Sequence, residues 1–244
     1  QYCSGPKSCT LTYNGPKKPD GTTSYGGYST GIVVREEFIL KIPDAISFEE
    51  AAPILCAGVT TYSPMKHWKL KRGQTLGVAG IGGLGHMAIQ IGKALGADIV
   101  ALTTSPEKEN DIKSLGADKV IDMNDSEALE DAAQSLDLLI NTIPYGHDIE
   151  PYINLMKPNS VFAMVGNIIE VENFSPANLV FHRITLAGSL IGGVDLTQEV
   201  LDLCAEHGIR PKIKMIEIDE INQAFKDMEG KDIRFRHVID MKSL

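Results

Sequence analysis

Three glycines with a fixed spacing are the clearest chemical signal in the sequence. Gly80, Gly82 and Gly85 form a G-x-G-x-x-G motif, directly after the apolar residues 75–79 and directly before an amphipathic segment. The first glycine of such a motif permits a tight turn, the second lets the backbone approach a pyrophosphate, and the third lets a helix lie close to a strand. Free N–H groups at the helix start then face the anion. We therefore predict a dinucleotide-binding turn that also includes Gly83 and Leu84.

The residues after the next apolar strand indicate which dinucleotide is bound. An Asp or Glu at that point would bond the ribose 2′-OH of NAD. The sequence instead has Thr103, Thr104 and Ser105, followed by Lys108. Hydroxyl groups and one cation suit a 2′-phosphate, which favours NADP(H), although Glu107 would have to point away. Ser105 could equally be the N-cap of the next helix, and both interpretations can hold together.

Short apolar runs alternate with amphipathic stretches from residue 75 onward, which is the pattern of repeated βα units. We predict strands near 75–79, 98–103, 119–122, 137–142, 160–166 and 185–190. A helix over 83–95 places Leu84, Met87 and Ile91 on one apolar face and His86 on the polar side. The predicted fold is α/β, with a doubly wound parallel six-stranded sheet of the Rossmann type.

The segments on either side of this block have a different pattern. Residues 28–42 alternate β-branched, aromatic and polar types, which predicts antiparallel strands of a small β-rich unit, and residues 47–66 favour helix. After residue 193 we predict helices at 197–207 and 220–229 and strands at 213–216 and 236–241. We therefore expect one discontinuous domain whose two parts meet in space, with 1–56 and 195–244 flanking a dinucleotide-binding domain at 57–194.

Composition excludes several classes of function. The 244 residues are 43% hydrophobic and carry a net charge of -9, which disfavours binding to nucleic acids and to anionic membranes. No stretch approaches eighteen uninterrupted apolar residues. Four cysteines are too few for a disulfide framework, so we expect a cytoplasmic protein. Because the first residue is Gln1 and no signal-peptide pattern follows, we expect the chain to begin inside a longer protein.

The cysteines and histidines do not by themselves form a metal-site pattern. Cys56 lies near the junction of the predicted domains, but its type is also typical of a small buried residue. Cys204 and His207 have a possible ligand spacing, yet Cys204 falls on the apolar face of a helix. The Tyr-x-x-x-Lys spacing of Tyr62 and Lys66 is known from short-chain dehydrogenases, where it follows the glycine motif. Here it precedes that motif, so we interpret it as coincidence.

Several segments taken together carry a family resemblance. They are Gln1-Tyr2-Cys3, Tyr25-Gly26-Gly27-Tyr28, residues 51–60 (AAPILCAGVT), residues 80–87 (GIGGLGHM), Leu115-Gly116-Ala117-Asp118 and Asp232-Ile233-Arg234-Phe235-Arg236. The chain resembles the zinc-dependent medium-chain dehydrogenase/reductases, and most closely their cinnamyl alcohol dehydrogenase branch. Such a resemblance implies hydride transfer between NADP(H) and a small alcohol or aldehyde, with a catalytic zinc polarising the oxygen.

The same resemblance implies roles for individual residues. Cys56 would be a ligand of the catalytic zinc, Cys3 a ligand of a structural zinc, Thr60 a neighbour of the nicotinamide, and Arg234 a contact of the pyrophosphate. The nicotinamide half of the cofactor would be lined by Thr142, Ile143, Val165, Gly166, Ser189, Leu190 and Ile191. The residues 103–105 and Lys108 fall where this branch holds the 2′-phosphate.

The sequence also departs from the family pattern. The other catalytic ligands, a Cys and a His with an adjacent Glu, and the first three structural cysteines would lie upstream of Cys3 and are not in this chain. A tetrahedral zinc needs about four ligands. One alternative is therefore a dinucleotide-binding chain without turnover, and another is a zinc-free quinone reductase, against which Cys3 and Cys56 argue. The resemblance also implies a homodimer formed through the sixth strand.

Overall fold

A six-stranded parallel sheet forms the centre of the molecule. The protein is described by a computed structural model over residues 20–23, 26–166, 171, 175–229 and 235–244. The strands are β1 (Thr75–Ala79), β2 (Asp98–Thr103), β3 (Lys119–Asp122), β4 (Leu136–Asn141), β5 (Met156–Met164) and β6 (Thr185–Gly188), with β7 (Ile213–Ile216) and β8 (Arg236–Ile239) paired separately. The strands predicted from residue 75 onward are all present, and β5 begins four residues earlier than expected.

The order of the strands creates a crevice at one end of the sheet. It is β3-β2-β1-β4-β5-β6, and all neighbouring strands are parallel. This is the order of a doubly wound dinucleotide-binding fold. Strands β1 to β3 are added toward one edge of the sheet and β4 to β6 toward the other, so the order reverses between β1 and β4. The predicted α/β fold class is confirmed. Ligands of such sheets bind outside the carboxyl ends of the strands at this reversal.

Helices cover both faces of the sheet. They are α1 (Phe48–Pro53), α2 (Val59–His67), α3 (Gly85–Ala94), α4 (Glu109–Ser114), α5 (Ser126–Asp131), α6 (Glu150–Asn154), α7 (Ala177–His182), α8 (Val194–His207) and α9 (Ile221–Glu229). Successive side chains of a strand point to opposite faces, so β4 contributes to two cores. Leu138 and Ile140 pack in one core, and Leu139 packs in the other.

The polar face predicted for α3 is partly wrong. His86 is fully buried, and its ring stacks on that of Phe235 at a centroid distance of 4.9 Å. Phe235 lies 149 positions further along the chain and covers the side of the helix that periodicity assigned to solvent. A long-range contact therefore buries a residue that the local pattern leaves exposed.

The strands predicted within 28–42 are also not observed. The described residues 26–42 contain a single 3₁₀ turn at Glu36–Phe38 and otherwise irregular backbone. Ile32 and Val33 are exposed. A strand needs a neighbour whose backbone groups complete its hydrogen bonds, and no described strand pairs with this segment.

The predicted helix over 47–66 is present, but its middle turn is a π-helix instead of an α-helix. α1 ends at Pro53, a π turn covers Ile54–Gly58, and α2 continues from Val59. The N–H of Val59 bonds the carbonyl of Ile54, five residues back. Turns of this kind are frequently found at functional sites, and here the turn contains Cys56.

The segments before and after the sheet contact each other, as predicted. The side chain of Gln198 bonds both the N–H and the carbonyl of Lys41, each at 2.9 Å. Arg210 bonds the carbonyl of Ala45 at 2.6 Å and pairs with Glu50 at 3.3 Å. The chain therefore returns, after β6, to the residues that precede β1. Among the helices described, none combines the length and the apolar character needed to cross a bilayer.

Gly85 offers a direct test of the close contact between α3 and the turn after β1. A Cβ atom at this position would lie 2.1 Å from the carbonyl oxygen of Gly80. The intrinsic helix preference of alanine favours it by about 1 kcal/mol, but overpacking against fixed backbone outweighs that gain. We expect Gly85→Ala to lower the free energy of unfolding by about 2 kcal/mol, measured by urea denaturation.

Gly82→Ala is the matched control for this substitution. No atom lies within 4 Å of a Cβ added at Gly82, so its free energy of unfolding should stay within about 0.5 kcal/mol of the parent. Equal stability of the two variants would contradict the close contact.

Candidate functional site

The glycine motif forms a turn between β1 and α3. Gly80 and Gly85 have no room for a side chain in this turn. Gly80 has a φ of +80°, and a Cβ there would lie 2.9 Å from Cγ1 of Ile143 and 3.0 Å from Oγ1 of Thr142. Gly82 faces open space. The turn is therefore closed on the side of β4 and open at Gly82, where a ligand can approach the backbone.

The N-terminus of α3 has no side-chain cap, although the N–H groups of His86 and Met87 already bond the carbonyls of Gly82 and Leu84. The residue before the helix is Leu84, which has no side-chain group to accept from them, and the first turn contains no acidic residue. The positive end of the helix dipole favours an anion at such an uncapped N-terminus. This end of α3 points to the crevice beside Gly82, which is the arrangement that a pyrophosphate requires.

The segment after β2 presents hydroxyl groups and a cation. Thr103 is buried, and its Oγ1 accepts from the N–H of Ser105 at 3.0 Å, which shapes the turn. Thr104 is exposed. The side chain of Ser105 makes no capping hydrogen bond to the 3₁₀ turn at Pro106–Lys108. Ser105 is at the N-cap position with Pro106 next to it, as predicted, but its hydroxyl group is not used by the following turn.

Three loops converge where β1, β4 and β5 end. The hydroxyl of Thr142 donates to the carbonyl of Gly80 at 2.6 Å and also lies 3.0 Å from that of Ala79. A Cβ at Gly166 would lie 2.2 Å from the carbonyl oxygen of Ile143. The backbones after these three strands are therefore in direct contact at the floor of the crevice.

The loop after β6 reaches the same region from the side of α2. The N–H of Ser189 donates to the carbonyl of Met164 at 3.0 Å. Ile191 has a φ of +36°, and a Cβ at Gly192 would lie 2.1 Å from a methyl carbon of Val59. Residues 189–191 are thus held between the end of β5 and the start of α2.

Cys56 and Thr60 lie on consecutive turns where the π turn passes into α2. Cys56 is exposed and its thiol is free. Thr60 is only 4% exposed, and its Oγ1 has no hydrogen-bond partner. A buried hydroxyl without a partner is uncommon, and here it belongs to a helix that packs on α3 and β4. It is a group that a ligand in the crevice could satisfy.

Sequence reasoning missed two side chains that contact the glycine turn. Nε of Arg236 donates to the carbonyl of Gly83 at 3.1 Å. His86 places Nδ1 3.1 Å from the carbonyl of Gly82, while its Nε2 has no partner. Burial lowers the pKa of His86 to about 4, so its ring is neutral at pH 7. The contact of Arg236 comes from a distant part of the chain, whereas His86 lies only four residues after Gly82 and is buried by the distant Phe235.

Tyr62 and Lys66 both bond a carboxylate of α8, which agrees with the interpretation of their spacing as coincidence. The hydroxyl of Tyr62 donates to Glu199 at 2.6 Å, and Lys66 pairs with the same carboxylate. Burial, together with this carboxylate, raises the pKa of Tyr62. A tyrosine that is harder to ionise does not suit proton transfer at neutral pH, and the three residues instead join α2 to α8.

The described residues do not assemble a zinc site. Within them, no group of three or more His, Cys, Asp or Glu side chains could hold a metal ion. Cys204 is fully buried in the core, as predicted, and burial raises the pKa of its thiol to about 12. Cys3 and Arg234 lie outside the described residues. Cys56 alone cannot hold a tetrahedral zinc.

Comparison with known proteins identifies the family. The model of the zinc-binding dehydrogenases matches residues 83–206. The chain is 43% identical to the NADP-dependent alcohol dehydrogenase C 1 of Mycolicibacterium smegmatis. The alignment covers the whole of this chain and 69% of that protein. The chain belongs to the zinc-binding dehydrogenases. The resemblance to zinc-dependent medium-chain dehydrogenases is confirmed.

Solved structures of this dehydrogenase family share the fold. A cinnamyl alcohol dehydrogenase from Sorghum bicolor superposes with a TM-score of 0.92 at 36% identity, over 97% of this chain and 68% of that one. The cinnamyl alcohol dehydrogenase of Helicobacter pylori, solved in complex with NADP(H), gives a TM-score of 0.87 at 34% identity over the same shares. These relatives are alcohol dehydrogenases, so the predicted oxidoreductase class is confirmed for the family.

The zinc content of the 244-residue chain tests whether Cys56 can hold zinc without further ligands. We expect elemental analysis of the purified, tag-free chain to find well below one zinc per chain, because Cys56 has no partner ligands among the described residues. A Cys56→Ser variant should give the same value as the parent. One tightly held zinc per chain that is lost in Cys56→Ser would contradict this expectation.

Proposed function

We propose that this chain binds NADP(H) and carries the cofactor half of an enzyme that interconverts small alcohols and aldehydes. The observation that carries the proposal is the crevice between β1 and β4, with Gly82 open and the N-terminus of α3 directed into it. The solved relative that binds NADP(H) supports the same assignment. Bound NADP(H) supplies the hydride donor or acceptor.

The residues of the crevice divide the binding of the cofactor between them. Gly82, Gly83, Leu84 and Gly85 would hold the pyrophosphate through backbone N–H groups. Gly80, whose N–H bonds the carbonyl of Leu102, would contribute the tight turn. The 2′-phosphate would be held by Thr103, Thr104, Ser105 and Lys108. The nicotinamide half would lie against Thr60, Thr142, Ile143, Val165, Gly166, Ser189, Leu190 and Ile191.

Two features of the structure support these roles. Thr60 offers a buried hydroxyl without a partner, and the hydroxyl of Ser105 makes no cap. Both groups gain a partner when the dinucleotide is present, and satisfying a buried polar group is favourable. Arg234 would add positive charge at the pyrophosphate, a role that rests on the family resemblance alone.

Cys56 would contribute one ligand to a catalytic zinc, as the family resemblance implies. A second candidate function, a dinucleotide-binding chain without turnover, is favoured by the lack of partner ligands among the described residues. Alcohol oxidation measured with NADP⁺, with and without added zinc, separates the two. Turnover by the 244-residue chain would exclude the second.

Cofactor preference tests the proposal most directly. We expect NADPH to bind more tightly than NADH, measured by calorimetric titration at matched salt. Thr104→Asp should weaken NADPH binding about tenfold, because a carboxylate would repel the 2′-phosphate by ~1.4 kcal/mol. Thr30→Asp adds the same charge at an exposed position to which no cofactor contact is assigned, and it should leave the affinity unchanged. Equal affinity of the parent for NADPH and NADH would reject the assignment.

We further propose a homodimer formed through β6. This strand is one edge of the sheet, and its residues 185–188 carry no charge, whereas β3 at the other edge contains Lys119 and Asp122. An uncharged edge is prone to pair with another strand unless it is covered. Two-fold pairing would satisfy both edges with one self-complementary contact.

The register of β6 supplies a test of this dimer. The N–H of Ser189 bonds β5, and parallel strands alternate, so the N–H of Gly188 faces the free edge and that of Ala187 faces β5. We expect Gly188→Pro to stay folded and to become monomeric in light scattering, since no atom lies within 4 Å of an added Cβ. Ala187→Pro removes a bond within the sheet and should unfold the protein. A parent that is monomeric at micromolar concentration would reject the dimer.

The domain division at 57–194, with flanking parts 1–56 and 195–244, remains a proposal. It is supported by the position of the whole six-stranded sheet within residues 75–188 and by the contacts of Arg210 with Ala45 and Glu50. A cytoplasmic location is likewise proposed, and the free thiols of Cys56 and Cys204 support it.

A further inference from the structure

His147 lies in the loop between β4 and α6, close to the crevice but without any role assigned from the sequence. Its ring is half-buried and stands edge-on to two aromatic neighbours. The centroid distances are 6.5 Å to Tyr145 and 5.7 Å to Tyr152. The imidazole is therefore held in place on both sides, so that its two nitrogen atoms face fixed partners.

Those partners determine which nitrogen of His147 carries the proton. Oδ1 of Asn141 accepts from the N–H of Ile143 at 3.1 Å, which fixes the orientation of the amide. Its Nδ2 group, which can only donate, then lies 3.0 Å from Nε2 of His147. Nδ1 of His147 lies 2.8 Å from the carbonyl of Tyr145, which can only accept. The ring is consequently the neutral tautomer with its proton on Nδ1.

Asn141 connects this ring to the floor of the crevice. It is the last residue of β4, and its side chain is completely buried. The backbone N–H that it holds belongs to Ile143, whose carbonyl lies against Gly166. The intervening Thr142 bonds the carbonyl of Gly80. The orientation of one buried amide thus fixes the backbone at the point where three loops meet.

We infer that His147 is a positioning residue for residues 142–143, and through them for the nicotinamide half of the dinucleotide. This inference rests on the proposed binding of NADP(H). Without the acceptor at Nε2, the buried Nδ2 of Asn141 loses its partner, and rotating the amide to find another would leave the N–H of Ile143 unpaired. Either outcome removes the fixed conformation of this segment before a ligand arrives.

The two halves of the cofactor allow the role to be isolated. NADPH carries both halves, whereas 2′,5′-ADP carries only the adenosine half with its 2′-phosphate. We expect His147→Ala to raise the dissociation constant for NADPH about fivefold, the effect of losing one hydrogen bond, and to leave that for 2′,5′-ADP unchanged. Calorimetric titration of both probes measures this directly.

Two further variants separate positioning from a general loss of structure. His147→Gln keeps an oxygen that can accept from Asn141 and should restore most of the NADPH affinity. His207→Ala removes an exposed histidine at the end of α8 and should change neither affinity. In the parent, long-range ¹⁵N–¹H spectra should show a protonated Nδ1 and an unprotonated Nε2 for His147.

The possible results are distinguishable. If the parent binds both 2′,5′-ADP and NADPH, and His147→Ala does not change the NADPH affinity, the role of His147 is overturned. The proposed binding of NADP(H) then still stands. Equal weakening of both probes in His147→Ala also overturns the role of His147, because the effect is then not confined to the nicotinamide half. A ring protonated on Nε2 contradicts the hydrogen-bond assignment. A parent that binds neither probe overturns the proposed function and this inference with it.

Discussion

The close approach of α3 to the turn after β1 is the constraint on which the rest of the site depends. Gly85 and the carbonyl of Gly80 are so near that no side chain fits between them. This contact sets the direction in which α3 leaves the sheet, and therefore where its uncapped N-terminus points. A side chain at position 85 would therefore have to displace either the helix or the carbonyl of Gly80.

The second requirement is that the loops after β1, β4 and β5 keep a fixed backbone without regular secondary structure. Side-chain hydrogen bonds supply that rigidity. The hydroxyl of Thr142 donates to the carbonyl of Gly80, and Oδ1 of the buried Asn141 accepts from the N–H of Ile143. A buried polar group is costly unless it is bonded, and a fully bonded network in turn specifies one conformation. Polar residues at the carboxyl ends of apolar strands therefore determine the shape of the crevice.

The flanking segments act on the same site from outside the sheet. α2 brings Thr60 against α3 and β4, and its other end is joined to α8 through Glu199. Phe235 and the adjacent Arg236 cover the start of α3 and contact His86 and Gly83. The return of the chain after β6 thus completes the surroundings of the glycine turn and excludes water from His86.

The α/β fold and the glycine turn follow from local spacing and periodicity, so they could be predicted without a structure. The family resemblance rested on particular segments, such as residues 51–60 and 80–87. Strands 75–79 and 98–103 were predicted at their observed bounds. The burial of His86, the lack of a described strand in 28–42 and the bond between His147 and Asn141 became evident only in the folded chain. Burial, strand pairing and hydrogen bonds across a loop depend on which distant atoms come together. Side-chain periodicity reports only which face a residue occupies on its own element, and not what covers that face.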